Sequence, residues 1–347
     1  MIKVLIVEDS PVVREFLSYV LSADPDIEVI GTADNGEEAL EAVKRKRPNV
    51  VTMDIHMPKL NGFDATRRIM ETYPTPIVIV SGSTTAQEIA TTFRALEAGA
   101  LAIVPRPKGI GHPEHQATAK ELVQTVKLMS EVKVVRRWPR PKTEPAIRSV
   151  PRVEIHRASA EVKIVAMGAS TGGPIVLQTI LSELDKDFAA PILVVQHMTS
   201  GFIEGFAEWL SQSSGLPAHV AADGEYISPG HVYIAQDGFQ MGVKAGGRIA
   251  LSTDEPENGL RPSVSYLFRS VADVYGRQGV GVLLTGMGKD GAAELKLMKD
   301  SGAITIVQDE KSSVVPGMPG EAIKLGAESY VLSPDRIAGA LKNLVKR

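Results

Sequence analysis

The stretch GVLLTGMGKDGAAELKLMKD, residues 281–300, decides how the C-terminal half of the chain is read. Its apolar start, which extends back to Val280, has the length and composition of a buried strand, and a helical pattern follows it. Between the two, Gly286, Gly288 and Gly291 form G-x-G-x-x-G, and Asp309 stands about 20 positions further on, after a second apolar run. That is the outline of a dinucleotide-binding turn. Asp290 conflicts with it. A pyrophosphate held there needs backbone donors and positive potential at a helix N-terminus. A carboxylate inside the glycine frame repels the phosphates and competes for the same donors. Either Asp290 points away from the turn, or the turn holds a carboxylate for another purpose.

Working outward, the same alternation of short apolar runs and amphipathic stretches begins at about residue 161, with KIVAMGAS, PILVVQHM, HVYIAQDG, ITIVQDE and ESYVLS. It predicts an α/β domain on a largely parallel sheet. The first run leads into GASTGGPIVLQTIL, where Gly168, Ala169, Gly172 and Gly173 permit a tight turn and Pro174 suits the first turn of a helix. Ser170 is thereby presented at a strand-to-helix turn. The turn has the form of a nucleophile elbow, and equally of an N-cap serine or a phosphate-binding loop. His197, at the end of ILVVQHM, bears on that choice. In a doubly wound sheet the carboxyl ends of all parallel strands face one edge, so Ser170, His197 and Asp290 can converge there. They supply a nucleophile, a general base and an orienting carboxylate. On this reading the glycines let Asp290 approach an imidazole, and the turn cradles no cofactor.

The N-terminal 135 residues repeat the pattern with KVLIVE, IEVIGTA, NVVTMD, PIVIVSG and LAIVP, each followed by a helical stretch. Five such units predict a second doubly wound domain with a five-stranded parallel sheet. At its strand ends stand Glu8 and Asp9, Asp54, Ser81 and Arg106. Carboxylates converging on one edge repel each other unless a cation lies between them, and oxygen-only ligands favour Mg²⁺. A metal-bound carboxylate flanked by a hydroxyl and a cation can accept a phosphoryl group.

The chain of 347 residues has room for two cores, and its 44% hydrophobic and 23% charged content is that of soluble globular protein. No signal-peptide pattern or long apolar run occurs, which predicts no membrane insertion. Cysteine is absent, which excludes disulfides, thiolate catalysis and thiolate metal sites and accords with a cytoplasmic protein. The segment RRWPRPKTEPAIRSVPRVEIHRASA, 136–160, holds 7 basic and 2 acidic residues, is rich in proline and lacks period. It reads as a linker between two slightly acidic domains. Its positive charge is not set on a folded face with aromatic residues beside it, so nucleic-acid binding is not expected.

In the N-terminal part IVEDSP, MDIHMPKLNGFDATRRI, IVIVSG and GALAIVPRP resemble the receiver domain of bacterial response regulators. The resemblance implies Asp54 as phosphoacceptor for a histidine kinase, with Glu8, Asp9, Asp54 and the His56 carbonyl around Mg²⁺ and Ser81 as the switch hydroxyl. Two positions depart from the family. Its usual lysine is Arg106 here, and its mobile aromatic residue is Ile103. A planar, longer guanidinium is not equivalent to an ammonium at a phosphoryl site.

The C-terminal segments GASTGGP, VVQHM, FAEWL, DGEYISPGHVYIA, RPSVSYLFRSVA, GVLLTGMGKDGA and VVPGMPGEAIKLGA resemble the chemotaxis protein-glutamate methylesterase family, CheB. Together with the receiver the resemblance spans nearly the whole chain. It implies a receiver over 1–130, a linker over 131–160 and a catalytic domain over 161–347. The implied reaction is hydrolysis of glutamyl methyl esters on chemoreceptors, releasing methanol, often with deamidation of receptor glutamines. Catalysis would fall to Ser170, His197 and Asp290, with the N–H groups of Thr171 and Met287 at the oxyanion and no metal in this half. The family further implies that the unphosphorylated receiver covers the esterase site. Lys289 stands where the family commonly has asparagine. A cofactor-binding redox domain and a catalytically silent adaptor are the competing readings.

Overall fold

The computed structural model describes residues 1–83, 85–132, 134 and 161–345. The chain divides into two compact units, Met1–Ala146 and Ile147–Arg347. The expected linker segment 136–160 lies outside the described residues.

In the first unit strands and helices alternate as β1 (Ile2–Val7), α1 (Pro11–Ser22), β2 (Ile27–Ala33), α2 (Gly36–Lys46), β3 (Val50–Met53), α3 (Gly62–Thr72), β4 (Ile77–Ser81), α4 (Ala86–Ala98), β5 (Ala102–Pro105) and α5 (His115–Ser130). Each of the five apolar runs became a strand, and all of them pair in parallel in the order β2-β1-β3-β4-β5. The central strands β1, β3 and β4 carry Val and Ile on both faces because helices cover both. Helix starts are set by polar caps. Asn35 accepts from the N–H groups of Glu37 and Glu38, and Asn61 accepts from that of Asp64, each cap stabilising its helix by about 1 kcal/mol.

The second unit runs β6 (Ile164–Ala169), α6 (Gly173–Ser182), β7 (Ile192–Gln196), α7 (Ile203–Ser214), β8 (Ala218–Val220), β9 (Val232–Ile234), β10 (Gln240–Lys244), β11 (Arg248–Ser252), α8 (Val264–Tyr275), β12 (Gly279–Leu283), α9 (Ala292–Asp300), β13 (Ile304–Gln308), α10 (Gly317–Lys324), β14 (Tyr330–Leu332) and α11 (Pro334–Leu344). Seven strands form one parallel sheet in the order β14-β13-β12-β6-β7-β9-β8. The α/β, doubly wound class expected for both halves is the one observed. Three strands were not anticipated. Edge strand β8 has three half-buried residues and no apolar run, and β10 and β11 form a separate antiparallel hairpin. The hairpin packs Met241, Val243 and Ile249 against α8, in a core shared with Leu267, Phe268 and Val271.

The first sheet reverses its order of strand addition between β1 and β3; in the second, strands are added to opposite sides of the β6–β12 pair, with β9 inserted between β7 and the edge strand β8. At such a point the connections leave to opposite faces and open a crevice at the carboxyl ends of the strands. The candidate residues sit at these two crevices. Among the described residues no helix is long and apolar enough to cross a membrane.

Candidate functional site

Strands β6 and β7 lie side by side in the register Ala169↔Gln196, so Ser170 and His197 are the next residues on each. The His197 N–H donates to the Ala169 carbonyl at 2.9 Å. On the other flank β12 pairs with β6, and Ser170 N donates to Thr285 O at 3.0 Å. Asp290 does not end a strand, as the sequence suggested. It arrives on the loop that follows β12, just before α9. Its Oδ2 nevertheless lies 2.9 Å from His197 Nε2, with the two side chains only 2% and 10% exposed.

Burial opposes the charge on Asp290, but the hydrogen bond and charge of His197, then Ser265 and the Val264 N–H, outweigh it. They hold the pKa at about 2. An ionised carboxylate only accepts, so Nε2 donates to it, and a neutral ring then keeps Nδ1 as its free base.

The carboxylate is saturated from a segment that sequence reading did not connect with it. Oδ1 accepts from Ser263 Oγ at 2.9 Å, from Ser265 N at 3.3 Å and from Asn258 Nδ2 at 3.3 Å, while Oδ2 accepts from Val264 N at 2.6 Å. These donors form the N-terminus of α8 and the loop before it. The glycines of the turn make the approach possible. A Cβ on Gly291, whose φ is +80°, would stand 2.9 Å from Val264 Cβ, and one on Gly286 would stand 2.6 Å from Ser170 Cβ. We expect Gly291→Ala to lower the thermal midpoint, with a backbone penalty of about 1–2 kcal/mol before the clash is counted, and to reduce turnover by displacing Val264 from Asp290. A variant unchanged in both melting and kcat would contradict this reading of Gly291.

Gln196 is a second residue missed from sequence. It is 3% exposed, and its Nε2 donates to the carbonyls of both Ser170, at 2.9 Å, and His197, at 2.8 Å. A polar residue inside an apolar run, directly before the candidate base, was the available signal. Of the two expected oxyanion donors, Thr171 follows Ser170 and has its own carbonyl held by Thr285 Oγ1 at 3.0 Å. Met287 lies two residues beyond Thr285 and is 64% exposed, and Lys289 is also exposed.

In the first unit the pairing of β1 with β3 brings Glu8, Asp9 and Asp54 together, with carboxylate oxygens all within 4.8 Å of one another. Glu8 and Asp54 are buried, and Asp9 is exposed. Burial, then the charge of Asp54, pushes the Glu8 pKa up to about 7; burial also raises that of Asp54. Arg106 Nη2 reaches Glu8 Oε2 at 3.2 Å and Asp54 Oδ1 at 3.9 Å, in space that a Cβ on Gly82 would crowd at 3.3 Å. Ser81 Oγ is turned to Ser83 Oγ at 2.9 Å and to Thr92 Oγ1 of α4 at 3.4 Å. His56 is exposed, two residues after Asp54, and Ile103 is half-buried on β5. Three oxygen donors within reach of one ion, two of them buried, with more negative charge than one guanidinium offsets, fit a small hard cation.

An α/β unit with three clustered carboxylates thus precedes a second α/β unit with serine, histidine and aspartate beside its switch point. A family model described as the response regulator receiver domain matches residues 4–112, and one described as CheB methylesterase matches residues 165–341. The chain belongs to the CheB methylesterase family and carries a response-regulator receiver domain. It is 62% identical over 346 residues to a protein-glutamate methylesterase/protein-glutamine glutaminase of Nitrosospira multiformis, covering 99% of this chain and 97% of the relative. A Geobacter metallireducens protein of the same description is 59% identical, with 99% of each chain covered. The crystal structure of the Thermotoga maritima CheB methylesterase catalytic domain matches with a TM-score of 0.51 and 40% identity, over 52% of this chain and 98% of that one.

Proposed function

We propose that the second unit hydrolyses glutamyl methyl esters on chemoreceptor proteins and deamidates receptor glutamines through Ser170, His197 and Asp290, under control of phosphorylation at Asp54. The His197 Nε2–Asp290 Oδ2 hydrogen bond of 2.9 Å, one strand away from Ser170, carries the reading. The names of the relatives supply the substrate class.

In this mechanism Ser170 Oγ attacks the ester carbonyl carbon and its proton passes to His197 Nδ1. The oxyanion takes hydrogen bonds from the Thr171 and Met287 N–H groups, each worth roughly 3 kcal/mol of barrier. Collapse breaks the bond to methoxide, which leaves as methanol with the proton from His197. Water, deprotonated by the same nitrogen, then cleaves the acyl-enzyme and releases glutamate. From a glutamine the leaving group is ammonia. A methanol-release assay on methylated receptor, with Ser170→Ala alongside, tests the reading directly.

We expect the esterase rate to fall on acidification because the base must be unprotonated. Asp290 has its folded pKa lowered to about 2, so the stability it adds is complete above its unfolded value of 3.8 and is lost only as pH falls towards 2. Asp290 stays ionised between about pH 5 and 8, so an acid limb in that range does not report its titration. A flat profile across it would argue against histidine as base.

In the receiver, taken as 1–130 with 131–160 as linker and 161–347 as the catalytic domain, Asp54 accepts the phosphoryl group from a histidine kinase. Glu8, Asp9, Asp54 and the His56 carbonyl would hold Mg²⁺, which when bound offsets charge on the phosphoryl oxygens. Arg106 and Ser81 must then turn to a group carrying about −1.5 to −2 charges. The unphosphorylated receiver restrains the esterase, and phosphorylation relieves it.

A further inference from the structure

We infer that Ser263 and Asn258 are positioning residues for the hydrolytic reaction, acting through Asp290 by fixing where its carboxylate points. The inference rests on the triad reading above.

An ionised carboxylate on a loop has a free rotation about its last bond, and the direction it presents to an imidazole is set by whatever else it accepts from. Here Oδ2 is shared between His197 Nε2 and the Val264 N–H, while Oδ1 faces Ser263 Oγ, Ser265 N and Asn258 Nδ2. The two oxygens are thereby made inequivalent, and only Oδ2 can reach the base. Removing donors from Oδ1 frees the carboxylate to rotate, which loosens the imidazole it orients.

The supporting segment is itself tied down. Gln240, fully buried on β10, accepts from Ser263 N at 2.9 Å through Oε1 and donates through Nε2 to the carbonyls of Glu255, at 3.3 Å, and Leu260, at 3.2 Å. Ser265 Oγ accepts from Gly291 N at 2.9 Å, which links the start of α8 to the loop that carries Asp290. The β10–β11 hairpin, a structural addition with no catalytic residue of its own, thus sets the position of the α8 N-terminus against the site. Asn258 is exposed and outside the core while its amide reaches the buried carboxylate; its φ of +53° gives an alanine there a backbone strain of its own, and a loss from that strain recurs in the Asp290→Asn background and in melting.

The test is a mutant cycle in the full-length protein, measuring kcat and KM for ester hydrolysis with thermal melting as a control. Ser263→Ala is expected to lower kcat about tenfold with KM within about twofold, and Ser263→Thr, which keeps the hydroxyl, to restore most of it. Asn258→Ala is expected to lower kcat about threefold. In an Asp290→Asn background, which keeps the side-chain shape, neither change should lower kcat further. An equal loss in both backgrounds, or an unchanged kcat in the wild-type background, overturns the inference. Should Ser263→Ala fail to fold, Asn258→Ala decides by the same two outcomes. The two levels separate cleanly. Undiminished kcat in Asp290→Asn alone refutes the triad, and this inference with it. A large loss there with no effect of Ser263→Ala or Asn258→Ala refutes only the inference.

Discussion

Ser170→Ala is expected to lower kcat by about 10⁴ to 10⁶ without unfolding the protein. It removes one oxygen from a half-buried turn whose backbone is held independently, by Ser170 N on Thr285 O and by Gln196 Nε2 on Ser170 O. His197→Ala should cost a similar factor in rate, but it also strips a hydrogen bond from a carboxylate that is 2% exposed. A stability loss of about 1–3 kcal/mol is therefore expected to accompany it. Asp290→Asn should be milder, about 10⁴ in kcat, because nucleophile and imidazole both remain and only the carboxylate that fixes the ring's tautomer is lost. The measurement is methanol release from methylated receptor, with melting curves for each variant. Retention of more than about a tenth of wild-type turnover in Ser170→Ala would remove the nucleophile assignment and the mechanism built on it.

The second large effect is expected in the receiver. Treatment with a small-molecule phosphodonor and Mg²⁺ should place one phosphoryl group on the chain, and Asp54→Ala should reduce that to none. Chelation of the cation should do the same, since Glu8, Asp9 and Asp54 crowd their charges within 4.8 Å. Arg106 sharpens the prediction. Its guanidinium pairs with Glu8 as well as lying near Asp54, so a phosphoryl group must draw it away from an existing partner. Arg106→Lys, a compact charge with rotating donors, should raise the ratio of phosphorylated to unphosphorylated esterase activity. Ile103 cannot supply an aromatic rotation, which points the same way. A fragment beginning near Ala160 should turn over faster than the intact protein without any phosphodonor. If it does not, restraint by the receiver is wrong. If Arg106→Lys leaves the activation ratio unchanged, the arginine is neutral for coupling.

Much of this was legible in the residues. Runs such as KVLIVE and PILVVQHM are short, β-branched and bounded by polar or small residues, which favours a buried parallel strand over a buried helix segment, and each of them formed one. The conflict around Asp290 was also legible, because a carboxylate and a phosphate cannot share a helix N-terminus. The three unanticipated strands left weaker marks. Strand β8 has three residues at a sheet edge, and the hairpin strands β10 and β11 acquire their apolar contacts from α8, which is distant in sequence from neither but is not implied by either.

By itself, then, the sequence determined all the strands but β8, β10 and β11, and the chemical groups at their carboxyl ends: Glu8, Asp9 and Asp54 on one sheet, Ser170 and His197 on the other. Only the tertiary structure decided which ends are neighbours. Backbone hydrogen bonds between parallel strands are indifferent to side-chain identity, and a crossover helix can return its strand to either side of the sheet, so strand order is not written in any local run. The order β12-β6-β7 is what brings Ser170, His197 and the loop carrying Asp290 to adjacent strand ends. The tertiary structure alone also assigned His197 Nε2 to Asp290, and surrounded that carboxylate with Asn258, Ser263, Val264 and Ser265. A buried charge must find donors wherever the fold brings them, and here they come from a helix start some 25 residues before it in the chain.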